Sequence, residues 1–173
     1  MFHWQQALSL HRISVVAGCA VSAVLGMSLM ASGQDQSVTI AKDAIFARKI
    51  LMATISTNMD ELETMTTSDK GINLTEGREH ADMISVMLMA FPHLFAPVTN
   101  QWKPNVERDA GRDTYASPDV FTNYEDFYAK AANASKIAYR ASRAEQESEF
   151  KKFVAELRVA CESCHAVYLK ADP

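Results

Sequence analysis

Apolar residues recur at helical spacing in successive segments of the chain. In the first segment, about Ser37–Thr67, Ile45, Met52 and Met59 repeat every seven residues. This spacing predicts a helix with a single apolar face. A second segment, about Asn73–Ala90, carries the same kind of face and opens on a spacing typical of a helix start. The first half of the chain therefore predicts two amphipathic helices.

Two more helices are expected after a long irregular stretch that holds four of the five prolines. The third begins near Ser117 or Thr122, both acceptable N-terminal signals, and runs to about Ala141. The fourth begins near Ser142 and continues to about Lys170. Four helices with one apolar face each predict an all-α fold, an antiparallel four-helix bundle.

The first 33 residues follow a different pattern. Arg12 precedes an uncharged, mostly apolar run over 13–31, and small residues follow, which is the layout of a secretory signal. We expect residues 1–33 to be a signal peptide or an N-terminal membrane anchor, and residues 34–173 to form the bundle. Cleavage, retention of 13–31 as a membrane span and lipid attachment at Cys19 stay open. Each alternative places 34–173 outside the inner membrane, in the periplasm, with membrane contact only if 13–31 is retained.

Composition excludes some classes of partner. The 173 residues are enough for one domain with a core, and the formal net charge is −4. No run of basic residues is present, so nucleic acid is not expected as a partner.

The sequence CESCH at 161–165 carries the candidate chemistry. In a helix, Cys161, Cys164 and His165 share one face. A disulfide between residues three apart on a helix has poor geometry, a zinc site lacks its remaining ligands, and a thioredoxin-like pair lacks its strand. The remaining use is covalent attachment of one haem c, with His165 as the proximal iron ligand.

The group on the other side of the iron decides function. A thioether there gives a one-electron carrier that serves redox partner proteins, whereas an apolar residue leaves the iron open to a gas. Neither alternative nominates a catalytic residue, so the chain is not expected to be an enzyme.

The chain resembles the class II c-type cytochromes, the cytochrome c′ superfamily. The resemblance covers about 37–170 and rests on ARKxxM at 47–52, FPHLFAPVTN, SPDVF and the C-terminal CxxCHxxY. It implies the bundle, the single haem c, and either a monomer or a homodimer.

The resemblance also implies roles for four further residues. Met52 corresponds to the position that faces the open side of the iron, and methionine there is similar to the low-spin, electron-carrying branch. Arg48 is expected against a haem propionate, and Phe95 and Phe121 are expected to pack near the haem. His80 and His93 are expected to be ordinary histidines rather than alternative ligands.

One departure bears on the choice of branch. The gas-binding branch is similar in CHxxY but continues directly with a basic residue, whereas here Leu169 follows Tyr168 and Lys170 comes next. We therefore expect a His165/Met52 electron carrier. The alternatives are a high-spin protein that binds nitric oxide or carbon monoxide, and a haem subunit anchored to a membrane complex through residues 13–31.

Overall fold

The structure is a computed structural model that describes residues 22–69, 71–100, 102 and 115–170, with side chains from Ile40 onward. The chain comprises two units, residues 1–36 and 37–173. The side chains of the expected leader, 1–33, and the backbone of 1–21 lie outside the described part. The core and the candidate site lie in the second unit.

Five α-helices occur in the described residues, four of them long. They are α1 (Ser22–Thr67), α2 (Leu74–Ala90), the single turn α3 (Asp119–Thr122), α4 (Tyr124–Ser142) and α5 (Glu147–Tyr168), with 3₁₀ turns at Phe91–Leu94 and Pro97–Thr99. The long helices form the expected antiparallel four-helix bundle. The described region contains one isolated antiparallel bridge, between Ala116 and Leu169, and no named strand.

The start of α2 follows the sequence signal. The Glu76 backbone N–H donates to Asn73 Oδ1 at 3.3 Å, and the Asn73 side-chain amide donates to the Glu76 carboxylate at 3.0 Å. Asn73 is therefore the N-cap of α2, and both of these bonds are made by its side chain. Gly71, just before it, has φ +81°, a conformation that glycine adopts without strain.

The predicted start of the fourth helix was wrong. Helix α5 begins at Glu147, not near Ser142, because Ser142 still belongs to α4 and uses its hydroxyl there. That hydroxyl donates to Tyr139 O at 2.8 Å and contacts Asp82 Oδ1 of α2 at 3.2 Å, so it caps no new helix. The chain turns through 143–146 and enters α5 from an extended Gln146.

Helix α1 is also longer than predicted, since it begins at Ser22 rather than Ser37. Helix α5 ends at Tyr168 rather than Lys170. The third predicted helix is interrupted, because α3 stops at Thr122 and α4 starts at Tyr124.

The main core lies between the four long helices. It combines large side chains of α1, α2 and α5 with small ones of α4, so that α4 approaches its neighbours closely. Its buried members are Ile55, Met59, Leu62, Ala81, Ile84, Leu88, Ala134, Ala138, Ala141, Ala144, Phe150, Phe153, Val154 and Leu157. Burial of such side chains from water is the main stabilising term of the bundle.

A second, aromatic cluster packs beside it and includes the end of α5. Its buried members are Phe91, Phe95, Val120, Phe127 and Tyr168, with Met52, Phe121 and Cys164 partly buried against them. The rings of Phe95 and Phe127 meet edge to face at 4.9 Å between centroids, a favourable arrangement.

No described helix combines the length and the apolar character that crossing a membrane requires.

Gly77 in α2 packs closely against a core side chain. A Cβ placed there would lie 2.6 Å from the Phe150 ring, which is fully buried and has little room to move. Overpacking of a core costs about 1–3 kcal/mol, and the better helix propensity of alanine returns about 1 kcal/mol. We expect Gly77→Ala to lower the free energy of unfolding in urea. Combined with Phe150→Leu, it should cost less than the sum of the two single changes; additive costs would contradict the contact.

Candidate functional site

A cavity of about 580 Å³ opens within the bundle, with largely apolar walls. All four long helices contribute to it, together with the segments that hold Phe91, Phe95 and Tyr115–Val120. Six of the seven predicted site residues line it: Arg48, Met52, Phe95, Cys161, Cys164 and His165. The volume lies in the range of sites that hold small molecules and cofactors.

The two cysteines lie in the last two turns of α5. Both are half-buried with free thiols, and both line the cavity. Burial raises the pKa of Cys161, and burial raises the pKa of Cys164 to about 11. At neutral pH both are therefore neutral thiols, unlinked to each other, and available for bonds to a group within the cavity.

His165 follows on the same helical face and is open to the cavity. The apolar walls lower the pKa of its imidazole, and the nearby Arg158 charge lowers that pKa further. A lowered pKa keeps the ring neutral at pH 7, which is the form that ligates a metal. Its backbone carbonyl accepts a hydrogen bond from the Leu169 N–H at 3.0 Å, which closes the helix.

The end of α5 is anchored on both sides. The Ser117 N–H donates to Tyr168 O at 2.8 Å, and the Lys170 N–H donates to Tyr115 O at 2.8 Å. The Tyr168 hydroxyl donates to Asp126 of α4 at 2.6 Å. These bonds, which we call the terminal clamp, fix the turn that carries His165.

Met52 reaches the same cavity from α1, where it is half-buried. The structure thus brings the predicted proximal and distal residues, His165 and Met52, to one cavity from two different helices. Met59, two turns further along α1, also lines it but is 2% exposed and belongs to the main core.

Arg48 is buried, with a side chain 4% exposed. Its guanidinium donates to Leu94 O at 2.7 Å and to the Thr99 hydroxyl, and it lies 3.9 Å from the centroid of the Phe95 ring. Burial lowers its pKa to about 10, so it remains a cation at neutral pH. Among the residues that the structure describes, no carboxylate contacts it.

The two phenylalanines occupy different layers. Phe95 lines the cavity, whereas Phe121 lies behind it, with ring centroids 5.9 Å apart. The two remaining histidine candidates stay outside the cavity. His80 Nδ1 lies 2.7 Å from Asn58 Oδ1, and the exposed His93 ring packs on Tyr128.

Sequence reasoning missed a charged pair at the cavity wall. Arg158 of α5 donates to Glu63 of α1 through two nitrogens, at 2.5 and 2.6 Å. Arg158 also lines the cavity. The sequence did contain a signal for Arg158. It lies three residues before Cys161 and seven before His165, and residues at those spacings share a helical face.

The residues fit a covalently bound haem c. Two thiols and a neutral imidazole share one face, and the walls are apolar. Arg48 offers a buried positive charge to the acidic edge of a haem. Within the described parts of the chain, no group of three or more His, Cys, Asp or Glu side chains could hold a metal ion by itself.

Comparisons with known proteins agree with this geometry. The family model described as Cytochrome C' matches residues 43–169. No curated protein sequence matches the chain. Among solved structures, cytochrome c′ from Thermochromatium tepidum is 21% identical, with 76% of this chain and 97% of that chain covered and a TM-score of 0.64.

Two further structures are similar in the same way. A cytochrome c′ described by an unusual ligand-controlled dimer dissociation is 19% identical, with 76% and 97% covered and a TM-score of 0.62. A nitric oxide complex of a mutant cytochrome c prime from Alcaligenes xylosoxidans is 12% identical, with 76% and 97% covered and a TM-score of 0.63. At these identities the structural likeness shows the fold.

The attachment residues can be tested directly. We expect Cys161→Ser/Cys164→Ser to lose covalent haem, seen as loss of haem-stained signal on a denaturing gel, because a hydroxyl does not form the thioether. Each single serine variant should keep one bond and some signal. Ser163→Ala, between the two cysteines, is the control and should stain like wild type. Covalent haem in the double variant would contradict the assignment.

Proposed function

Because this chain belongs to the cytochrome c′ family, whose proteins bind one covalently attached haem c, we propose that it binds nitric oxide or carbon monoxide at its haem iron. The observation that carries the proposal is the family match over 43–169, together with a largely apolar cavity at the cysteines. A similar structure is a nitric oxide complex, which supports the same ligand class here.

Each cavity residue has a definite part in this proposal. When bound, haem supplies a redox-active iron with positions for axial ligands. Cys161 and Cys164 would hold it through thioethers, and His165 would offer a neutral imidazole nitrogen to the iron. Arg48 would pair with a haem propionate. The propionate would compensate the buried positive charge of Arg48, which has no carboxylate partner among the described residues.

The remaining walls suit a small, weakly polar ligand. Ile55, Leu88 and Phe91 line the cavity with hydrocarbon, and Met52 adds a thioether. Polarity and access on the distal side are what select between gas binding and electron transfer in haem proteins. The apolar part of the wall suits a diatomic ligand.

A one-electron carrier with Met52 as the sixth ligand is the second candidate. It is favoured by the placement of Met52, whose side chain lines the cavity from α1 while His165 lines it from α5. A thioether is a soft ligand suited to haem iron, and a His/Met pair raises the reduction potential. As an electron carrier the protein would exchange single electrons with redox partner proteins, and neither candidate function calls for a catalytic residue.

We propose further that residues 34–173 act in the periplasm, as the leader pattern at 1–33 suggests.

We also propose that the protein forms a homodimer through the outer faces of α1 and α2. Exposed apolar side chains lie on both helices, which are joined by the contact between His80 and Asn58. They are Ile40, Phe46 and Ile50 on α1 and Met83, Val86 and Met89 on α2. Apolar surface of this kind marks protein contacts.

One experiment decides between the two haem functions. If the gas-binding proposal holds, the reduced wild-type protein binds carbon monoxide readily, and Met52→Leu leaves its absorption spectrum nearly unchanged. If Met52 ligates the iron, the wild type is low-spin and resists carbon monoxide, and Met52→Leu gains binding. The swap conserves volume and costs under about 1.5 kcal/mol. Met59→Leu, also in the cavity wall, is the matched control and should change neither property.

The dimer makes a separate prediction. Phe46 is 67% exposed, and Phe46→Asp should convert a dimer to a monomer in sedimentation because a charge in an apolar interface loses its hydration. Val159→Asp, on α5 and 65% exposed, should leave the dimer intact. A monomeric wild type would contradict the proposal.

A further inference from the structure

The Arg158–Glu63 pair joins the helix with the haem-attachment residues to the helix with Met52. Arg158 Nε donates to Glu63 Oε1 at 2.5 Å, and its Nη2 donates to Glu63 Oε2 at 2.6 Å. This two-point contact fixes the plane and position of the guanidinium, as a lysine could not. Arg158 and Glu63 are 95 residues apart in sequence, so their contact forms only when α1 and α5 are packed.

The fixed cation lies at the wall of the haem cavity. Arg158 precedes Cys161 by three residues and His165 by seven, so the three side chains follow one stripe of α5. All three line the cavity, whereas Glu63 does not. The positive member of the pair is therefore nearer to the cofactor site than the negative member.

We propose that Arg158, positioned by Glu63, is the residue that tunes the reduction potential of the haem from the side of His165. The proposal rests on haem attachment at Cys161 and Cys164. Reduction from the ferric to the ferrous state adds one electron and so lowers the net charge by one. A cation close to the iron favours the reduced state, and a more distant anion offsets this only in part.

Glu63 has two opposing effects in this arrangement. It holds the guanidinium at the cavity wall, and its own charge reduces the field that the guanidinium exerts there. The two side chains are 38% and 40% exposed, so water and salt weaken the field without removing it. Arg48, Lys49 and Lys130 also line the cavity, and their contributions stay constant when only this pair is changed.

The test is an equilibrium redox titration of the haem-loaded protein and three variants. Arg158→Gln removes the cation, so we expect a lower potential than in the wild type. Glu63→Gln removes the anion and keeps an amide oxygen to accept from Arg158, so we expect a higher potential. The double variant should lie between the two single variants. Opposite signs distinguish charge from packing, because loss of a merely structural contact would shift both variants in one direction.

Controls and a fallback keep the outcome decisive. Lys152 and Glu156 form an exposed pair on α5 that does not line the cavity, so Lys152→Gln and Glu156→Gln should leave the potential unchanged. If Arg158→Gln fails to fold, Arg158→Lys keeps the charge, and its potential should stay nearer to the wild type than to the Glu63→Gln value. Shifts of equal sign, or no shift, overturn the role of Arg158. A wild type without covalent haem overturns the proposed function instead.

Discussion

The helical repeat of α5 is the constraint on which the site depends. At 3.6 residues per turn, two thiols three apart and an imidazole one position later are held on one side of a rigid rod. The bundle then needs only to leave a cavity against that side. Small residues of α4, such as Ala131 and Ala134, form part of its wall. Here a single helix carries site residues that other folds assemble from loops.

Charge is distributed around this cavity unevenly. Arg48 is buried and is satisfied by a carbonyl, a hydroxyl and an aromatic face, whereas Arg158 is half-exposed and paired with a carboxylate. A buried cation without an anion is unfavourable by itself. Among the described residues, Arg48 has no carboxylate partner, whereas the charge of Arg158 is compensated by Glu63.

Much of this organisation could be predicted from sequence. The helices and the CESCH face follow from local periodicity, and the structure confirmed the four-helix bundle. The boundary between α4 and α5 could not be predicted, because 143–146 contains no glycine or proline and Ala144 is buried at 1% exposure. The Glu63–Arg158 contact was also out of reach, since it depends on how two distant helices are staggered. The roles of Arg48 and Met52 came from family resemblance and stay predictions.

The terminal clamp would matter most if the protein acts as an electron carrier. The last turn of a helix ordinarily frays, because its carbonyls lack partners. In α5 the residues after His165 are tied by backbone bonds to 115–117 and by Tyr168 to Asp126. A histidine on such a restrained turn keeps the same position when the charge beside it changes. If His165 ligates the haem iron, little nuclear rearrangement would accompany each electron, which favours a small reorganisation energy.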